Sequence, residues 1–198
     1  MNLCRTVGRM TALVLAALVL VGLLATALPA LAAGKLATPT GPVILTVHGK
    51  IANTNRGALD AFDDAFFKSS GAEFDRAAVF DRAMLQKLGM HSVTVQYSTW
   101  PRAHRLEGPL LRDVLKAVGA TGKTATVYAL DGYGAKIPMT DLAAYPVVLA
   151  LKSDGQWLGI GGRGPAWVVY PPHDKYPALK DQDDSKWVWS AIRIDVEE

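Results

Sequence analysis

Within "STWPRAHRLEG" (98–108), Trp100 and Pro101 are followed by Arg102, His104 and Arg105. Guanidinium forks take carboxylates and phosphates bidentately, and an indole face can stack on a flat polar ring. The stretch therefore carries the residue types of a binding-site wall for an anion, provided other segments close it. A second candidate is "GIGGRGP" (159–165), where Arg163 sits among four glycines. Backbone N–H groups in such a turn can cradle an anion, but the Walker spacing is absent and no helix follows. Taken alone, it reads as a wide turn whose glycines supply positive φ.

Other chemistries leave less trace. His48, His91, His104 and His173 are far apart, with no pair at helical ligand spacing, and the sole cysteine is Cys4. No metal site is expected from that pattern. There is no G-x-S-x-G elbow for a serine nucleophile and no C-x-x-C-H haem motif.

The candidate loops need strands to hold them. "VILTVHGKI" (43–51), "SVTVQYS" (92–98), "TATVYAL" (124–130), "PAWVVYP" (165–171) and "KWVWSAIRIDV" (186–196) read as strands. "PVVLALKSDGQWLGI" (146–160) reads as a hairpin turning at Asp154-Gly155. Leu59, Phe62, Phe66 and Phe67 recur at helical spacing and predict a helix over 57–69. "FDRAMLQKLG" (80–89) predicts a helix with Asp81 as N-cap and Gly89 past its end, and "PLLRDVLKAVG" (109–119) another. In "DGYGAKIPMTDL" (131–142) a Gly-rich turn and an extended piece lead to a helical turn capped by Thr140. Short helices among strands, without long βαβ crossovers, indicate an α+β fold with a mixed sheet.

Residues 1–33 contain Arg5 and Arg9, no acid, an apolar run from Ala12 to Leu28, and small residues at Ala30 and Ala32. These are the parts of a secretory signal peptide, with an uncleaved membrane anchor as the alternative. Residues 34–42 form a Pro-containing linker and 43–198 the folded domain. Removing Arg5 and Arg9 from 21 basic residues leaves 19 against 18 acidic ones, a net +1. That balance argues against a nucleic-acid surface. A periplasmic or secreted location follows, with membrane association only if the signal is retained.

The order of segments carries more than any one of them. "GPLLRDVLKAVG", "DGYGAKIPMTD", "VVLALKSDGQWL" and "GRGPAWVVYP" succeed one another in this chain. That succession resembles the oxidoreductase molybdopterin-binding domain of the sulfite oxidase family, over about Val43 to Val196. The resemblance implies a sulfite-oxidase-type fold and a molybdopterin pocket bordered by the loop after 92–98 and the one at 161–165. It implies site roles for Thr99, Trp100, Arg102 and His104, for Asp131 and Tyr133, and for Arg163 and Gly164. It also brings in Asn53 and Asn55 from an Asn-containing loop. Trp100 and Trp167 could stack on the ligand, although Trp167, on an apolar strand, is expected in the core.

Two departures argue against molybdenum chemistry. Catalytic members of the family ligate molybdenum through a cysteine on the loop that here reads "YSTWPRA", and no cysteine stands there. Serine or threonine does not replace a soft thiolate at neutral pH. Trp167 stands where the family carries an arginine after its Gly-Pro turn. Arg5 and Arg9 are also not adjacent, so the leader reads as a general-secretion signal. That route threads an unfolded chain, which cannot carry a non-covalent cofactor. The expectation is an exported, non-catalytic member that binds a small anionic or pterin-like ligand or a redox or sensory partner protein, with no cofactor. The alternative is a molybdopterin-dependent oxidoreductase that passes electrons to a separate redox partner.

Overall fold

The computed structural model describes residues 36–96, 99–179 and 184–198, and Ala33–Glu198 form a compact unit of their own. The expected signal peptide lies outside the described residues. Among the described residues, no helix is long and apolar enough to cross a membrane.

The hydrophobic, β-branched run Val43–Gly49 forms β1, and the last strand, β11 (Ala191–Glu197), pairs with it in parallel. β2 (Ala78–Asp81) flanks β1 antiparallel. β5 (Thr124–Ala129) and β6 (Gly134–Pro138) extend the other side, giving the order β2-β1-β11-β5-β6. Period-two alternation sends Leu45, Val47, Val127, Ile194 and Val196 into one fully buried cluster. Burying each such side chain contributes roughly 1.5–3 kcal/mol.

Helices cover that face. Asp81 caps α2 (Arg82–Lys87): its carboxylate accepts from the Met84 amide at 2.8 Å, as the sequence predicts, and Leu85 is fully buried. The other oxygen of Asp81 accepts from the amides of Thr40 and Gly41, tying the linker to the cap. α3 (Leu111–Ala117) buries Leu111, Val114 and Leu115. α4 (Met139–Ala144) follows β6 directly, with Pro138 at its N-cap position and no side-chain cap, so Thr140 is not the capping residue.

A second layer presents the loops. β3 (His91–Val95) pairs with β4 (His104–Gly108), which pairs with β8 (Lys152–Ser153), which pairs with β9 (Gln156–Trp157). β7 (Val148–Ala150) and β10 (Trp167–Val169) form an antiparallel ribbon. The turn between β8 and β9 is the expected Asp154-Gly155, both with positive φ (49° and 79°). Gly108 is a necessity of packing, since a Cβ there would lie 1.9 Å from the Leu149 carbonyl oxygen.

Three further expectations need correction. The opening stretch is not a loop throughout, because its second half is β4, held by the ladder to β3. The helix expected over 57–69 is only α1 (Ala65–Ser69), which buries no residue, and Phe62 is 88% exposed. Asp60 explains the late start: its carboxylate accepts from the Phe62 and Asp63 amides, so turn chemistry displaces the first helical turns. The final strand begins at Ala191, after Ser190 takes a φ of 48°. The α+β class stands, but as three sheets, of which only the five-stranded one is mixed.

Candidate anion site

Three segments distant in sequence meet at Arg163. The β3–β4 connection supplies Trp100, the 159–165 loop supplies Arg163, β10 supplies Trp167, and the bend before β11 supplies Trp189. The Arg163 guanidinium carbon lies 4.5 Å from the Trp167 ring centre, 4.8 Å from Trp189 and 5.4 Å from Trp100. Each such contact is worth about 0.5–1 kcal/mol when exposed and about 2 kcal/mol when desolvated. Trp100 also packs against Trp167 at 5.7 Å and edge-on to His104 at 5.5 Å.

Backbone hydrogen bonds pin the loop that carries Arg163. Gly162 and Gly164 both donate their amides to the Gly159 carbonyl, and Ser190 donates its amide to the Arg163 carbonyl. A Cβ on Gly164 would sit 2.5 Å from the Leu158 carbonyl, so only glycine closes the loop. Because Gly159 takes two of the loop's N–H groups, the anion-binding donors here come chiefly from the Arg163 side chain.

Asp154 organises the opposite wall. One carboxylate oxygen accepts from Arg102 Nη2 at 2.9 Å and from His104 Nδ1 at 2.8 Å. The other accepts from the Arg105 amide at 2.9 Å. These bonds, the Arg105 amide first, then His104 and Arg102, hold the Asp154 carboxyl down at about 2. With Nδ1 occupied, His104 keeps Nε2 for another partner.

Charge is therefore unevenly balanced. Asp154 offsets Arg102, whereas the Arg163 guanidinium has neither an ion pair nor a hydrogen bond among the described residues. It borders a cavity of about 190 Å³ together with Trp100, Pro101, His104, Ser153 and Trp167. Trp167 is 3% exposed, and its buried Nε1 finds no acceptor among the described residues. A guanidinium at a cavity edge with no carboxylate partner among the described residues suits an anion with oxygen acceptors.

Of the residues singled out from sequence, Trp100, His104 and Arg163 converge on this cavity, with Gly164 shaping the loop and Arg102 held at the rim by Asp154. Thr99 is exposed beside them. Asn53 donates to the Ala117 carbonyl. Asn55 donates to Ala37 and Val79 carbonyls and accepts from the Val79 amide, a structural clamp. Asp131 accepts from the Tyr133 amide, and Tyr133 donates its hydroxyl to the Ser185 carbonyl at 2.6 Å. These four do not line the cavity. Trp167 packs in the second apolar cluster, as expected for an apolar strand. Sequence reasoning missed Asp154 as the residue that holds Arg102 and His104, and Trp189 as a cage residue, because the first looked like turn chemistry alone and the second like part of a strand.

No protein-family model matches this chain, and no curated protein matches it significantly.

The residues that the resemblance implies for a molybdopterin pocket are not brought together in one place. The donor set has no thiolate, since Cys4 is the sole cysteine. The ten residues implied by the resemblance do not close one pocket, and about 190 Å³ is below the roughly 300 Å³ at which pockets for drug-sized ligands begin. Among the described residues, no group of three or more His, Cys, Asp or Glu side chains could hold a metal ion.

Proposed function

We propose that this chain is an exported binding protein for a small oxyanion, built on a sulfite-oxidase-type fold and acting without molybdenum catalysis. One observation carries the reading: the Arg163 guanidinium lies among three tryptophan rings at the edge of a small cavity, without an ion-pair partner among the described residues. Aromatic faces steady the half-buried guanidinium, and a cation held in this way gains more from an incoming anion than a fully hydrated one does. The cavity of about 190 Å³ is small, which favours the anionic arm of the expectation over the pterin-like one. His104 lines the same cavity and, with Nδ1 held by Asp154, presents its ring beside Trp100.

The test is a titration of the full chain with inorganic sulfate and phosphate, followed by tryptophan fluorescence and calorimetry. Saturable quenching that disappears in Arg163→Met is expected. Absence of saturable binding, or equal binding by Arg163→Met, would overturn the reading. Stoichiometric molybdenum and pterin in protein taken from its own host would do so as well.

A further inference from the structure

The face of the central sheet opposite the main core carries a row of polar side chains, and it is buried. Thr46 and His48 alternate on β1, Thr126 and Tyr128 on β5, and Arg193 and Asp195 on β11. The ladders put Thr46 beside Arg193, His48 beside Asp195, Tyr128 beside Arg193 and Thr126 beside Asp195. Thr46, His48, Thr126 and Arg193 are each no more than 5% exposed. A sheet face of this kind is usually either apolar or solvated.

Arg193 is the centre of the row. Its Nη1 donates to His48 Nε2 at 3.2 Å, and its guanidinium carbon lies 3.8 Å above the Tyr128 ring. Burial holds the His48 imidazole below its ordinary pKa, so it is the neutral ring that accepts this bond. Asp195 sits 3.4 Å from His48 Nδ1, and no carboxylate lies within ion-pair distance of Arg193 among the described residues. A guanidinium has five N–H donors, and His48 takes one. At Arg193 the cost of burial outweighs the favourable charge of Asp195, and cations taken out of water generally meet a closer counter-charge.

Space for one exists. Arg193 opens on a cavity of about 280 Å³ walled by Phe66, Tyr128, Ala129 and Ile192, with Ser70 also lining it. α1 provides Phe66 and Ser69, and Ser70 follows at its C-cap, yet the helix buries no residue of its own. Ile192 is at the irregularity in the β5–β11 ladder, between the paired positions Ala191 and Arg193. Bulges of this kind re-aim side chains and recur beside functional sites.

We propose a second ligand site here, for a small carboxylic acid with an apolar body. The carboxylate takes the remaining Arg193 donors as a fork, and the body lies against Phe66, Tyr128 and Ile192. Bare oxyanions are disfavoured because, apart from Ser69, Ser70 and Gly132, the remaining wall is apolar or aromatic and offers no second cation. The site shares no residue with the Arg163 cavity.

Benzoate is the probe, titrated into the full chain labelled with 15N-arginine and 13C-tyrosine. The Arg193 Nε–H and Tyr128 ring signals are expected to shift saturably. Ser70→Leu, which narrows the cavity without touching the buried row, should weaken binding at least tenfold, and Arg193→Met should abolish it. Arg163→Met should leave the benzoate response unchanged, which separates this site from the first. No saturable shift in the unmodified chain would overturn the proposal. So would a Ser70→Leu affinity equal to the parent's, or inorganic phosphate binding as tightly as benzoate at Arg193.

Discussion

Asp154 Oδ2 accepts from His104 Nδ1 at 2.8 Å, across the strand pair that joins β4 to the β8–β9 turn. The bond fixes the ring tautomer and therefore which nitrogen of His104 remains available. Its strength depends on Asp154 remaining ionised. The folded carboxyl is held at about 2, below its ordinary 3.8. A depressed carboxyl contributes stability that is fully present above the unfolded value and is lost as pH falls through the folded one. Asp154→Asn keeps a residue that tolerates the left-handed conformation, so it isolates the charge. Melting temperature is expected to be lower for Asp154→Asn at neutral pH. The gap should close as pH falls from 3.8 towards 2, and thermal melts over that range check it. A gap independent of pH would mean that the carboxylate charge contributes nothing.

Arg102 and Arg163 looked alike in the sequence, as two arginines on two loops, and the structure separates them. Arg102 is 62% exposed in its side chain and paired with Asp154, while Arg163 is caged and unpaired. An exposed pair of this sort is worth about 0–1 kcal/mol. Arg102→Ala is therefore expected to change sulfate affinity by less than about threefold, with a small loss of stability. Arg163→Met should remove binding altogether. Calorimetry on the two variants decides it, and equal losses would place Arg102 in the site as well.

How far these features could be read in advance depended on how local their causes are. The cap at Asp81 and the turn at Asp154-Gly155 are set by a few neighbouring residues, and both were legible. β4 was not, because "HRLEG" has only Leu106 as a fully buried apolar side chain, and its partner strand decides its structure. The 57–69 segment failed in the opposite direction. Its phenylalanines have helical spacing, but Asp60 and the Arg56–Asp64 ion pair hold a turn where helix was expected. Trp100, Trp167 and Trp189 lie 67 and 22 residues apart, and no periodicity announces that they share one cation. The polar row did leave a trace, in Thr46-Val47-His48 and Arg193-Ile194-Asp195, where polar residues alternate with apolar ones. That pattern is the same as for a solvated sheet face, and only the covering segment distinguishes the two.

Trp167 and Trp189 both face Arg163, but they differ in what else they hold. Trp167 is 3% exposed and packs in the cluster with Leu106, Leu158 and Val169, whereas Trp189 is 46% exposed. Truncating a buried aromatic leaves a cavity that costs about 3–5 kcal/mol. Trp167→Ala is expected to destabilise by that amount in denaturant titrations and to lose oxyanion binding with it. Trp189→Ala removes a ring from solvent-facing surface and should leave the unfolding midpoint nearly unchanged. It should still weaken sulfate binding several-fold, because one of three faces steadying Arg163 is gone. Stability and affinity thus come apart at Trp189 and move together at Trp167. If Trp189→Ala binds sulfate as tightly as the parent, the cage reduces to Trp100 and Trp167, and preorganisation of Arg163 rests on the loop hydrogen bonds to Gly159 and Ser190.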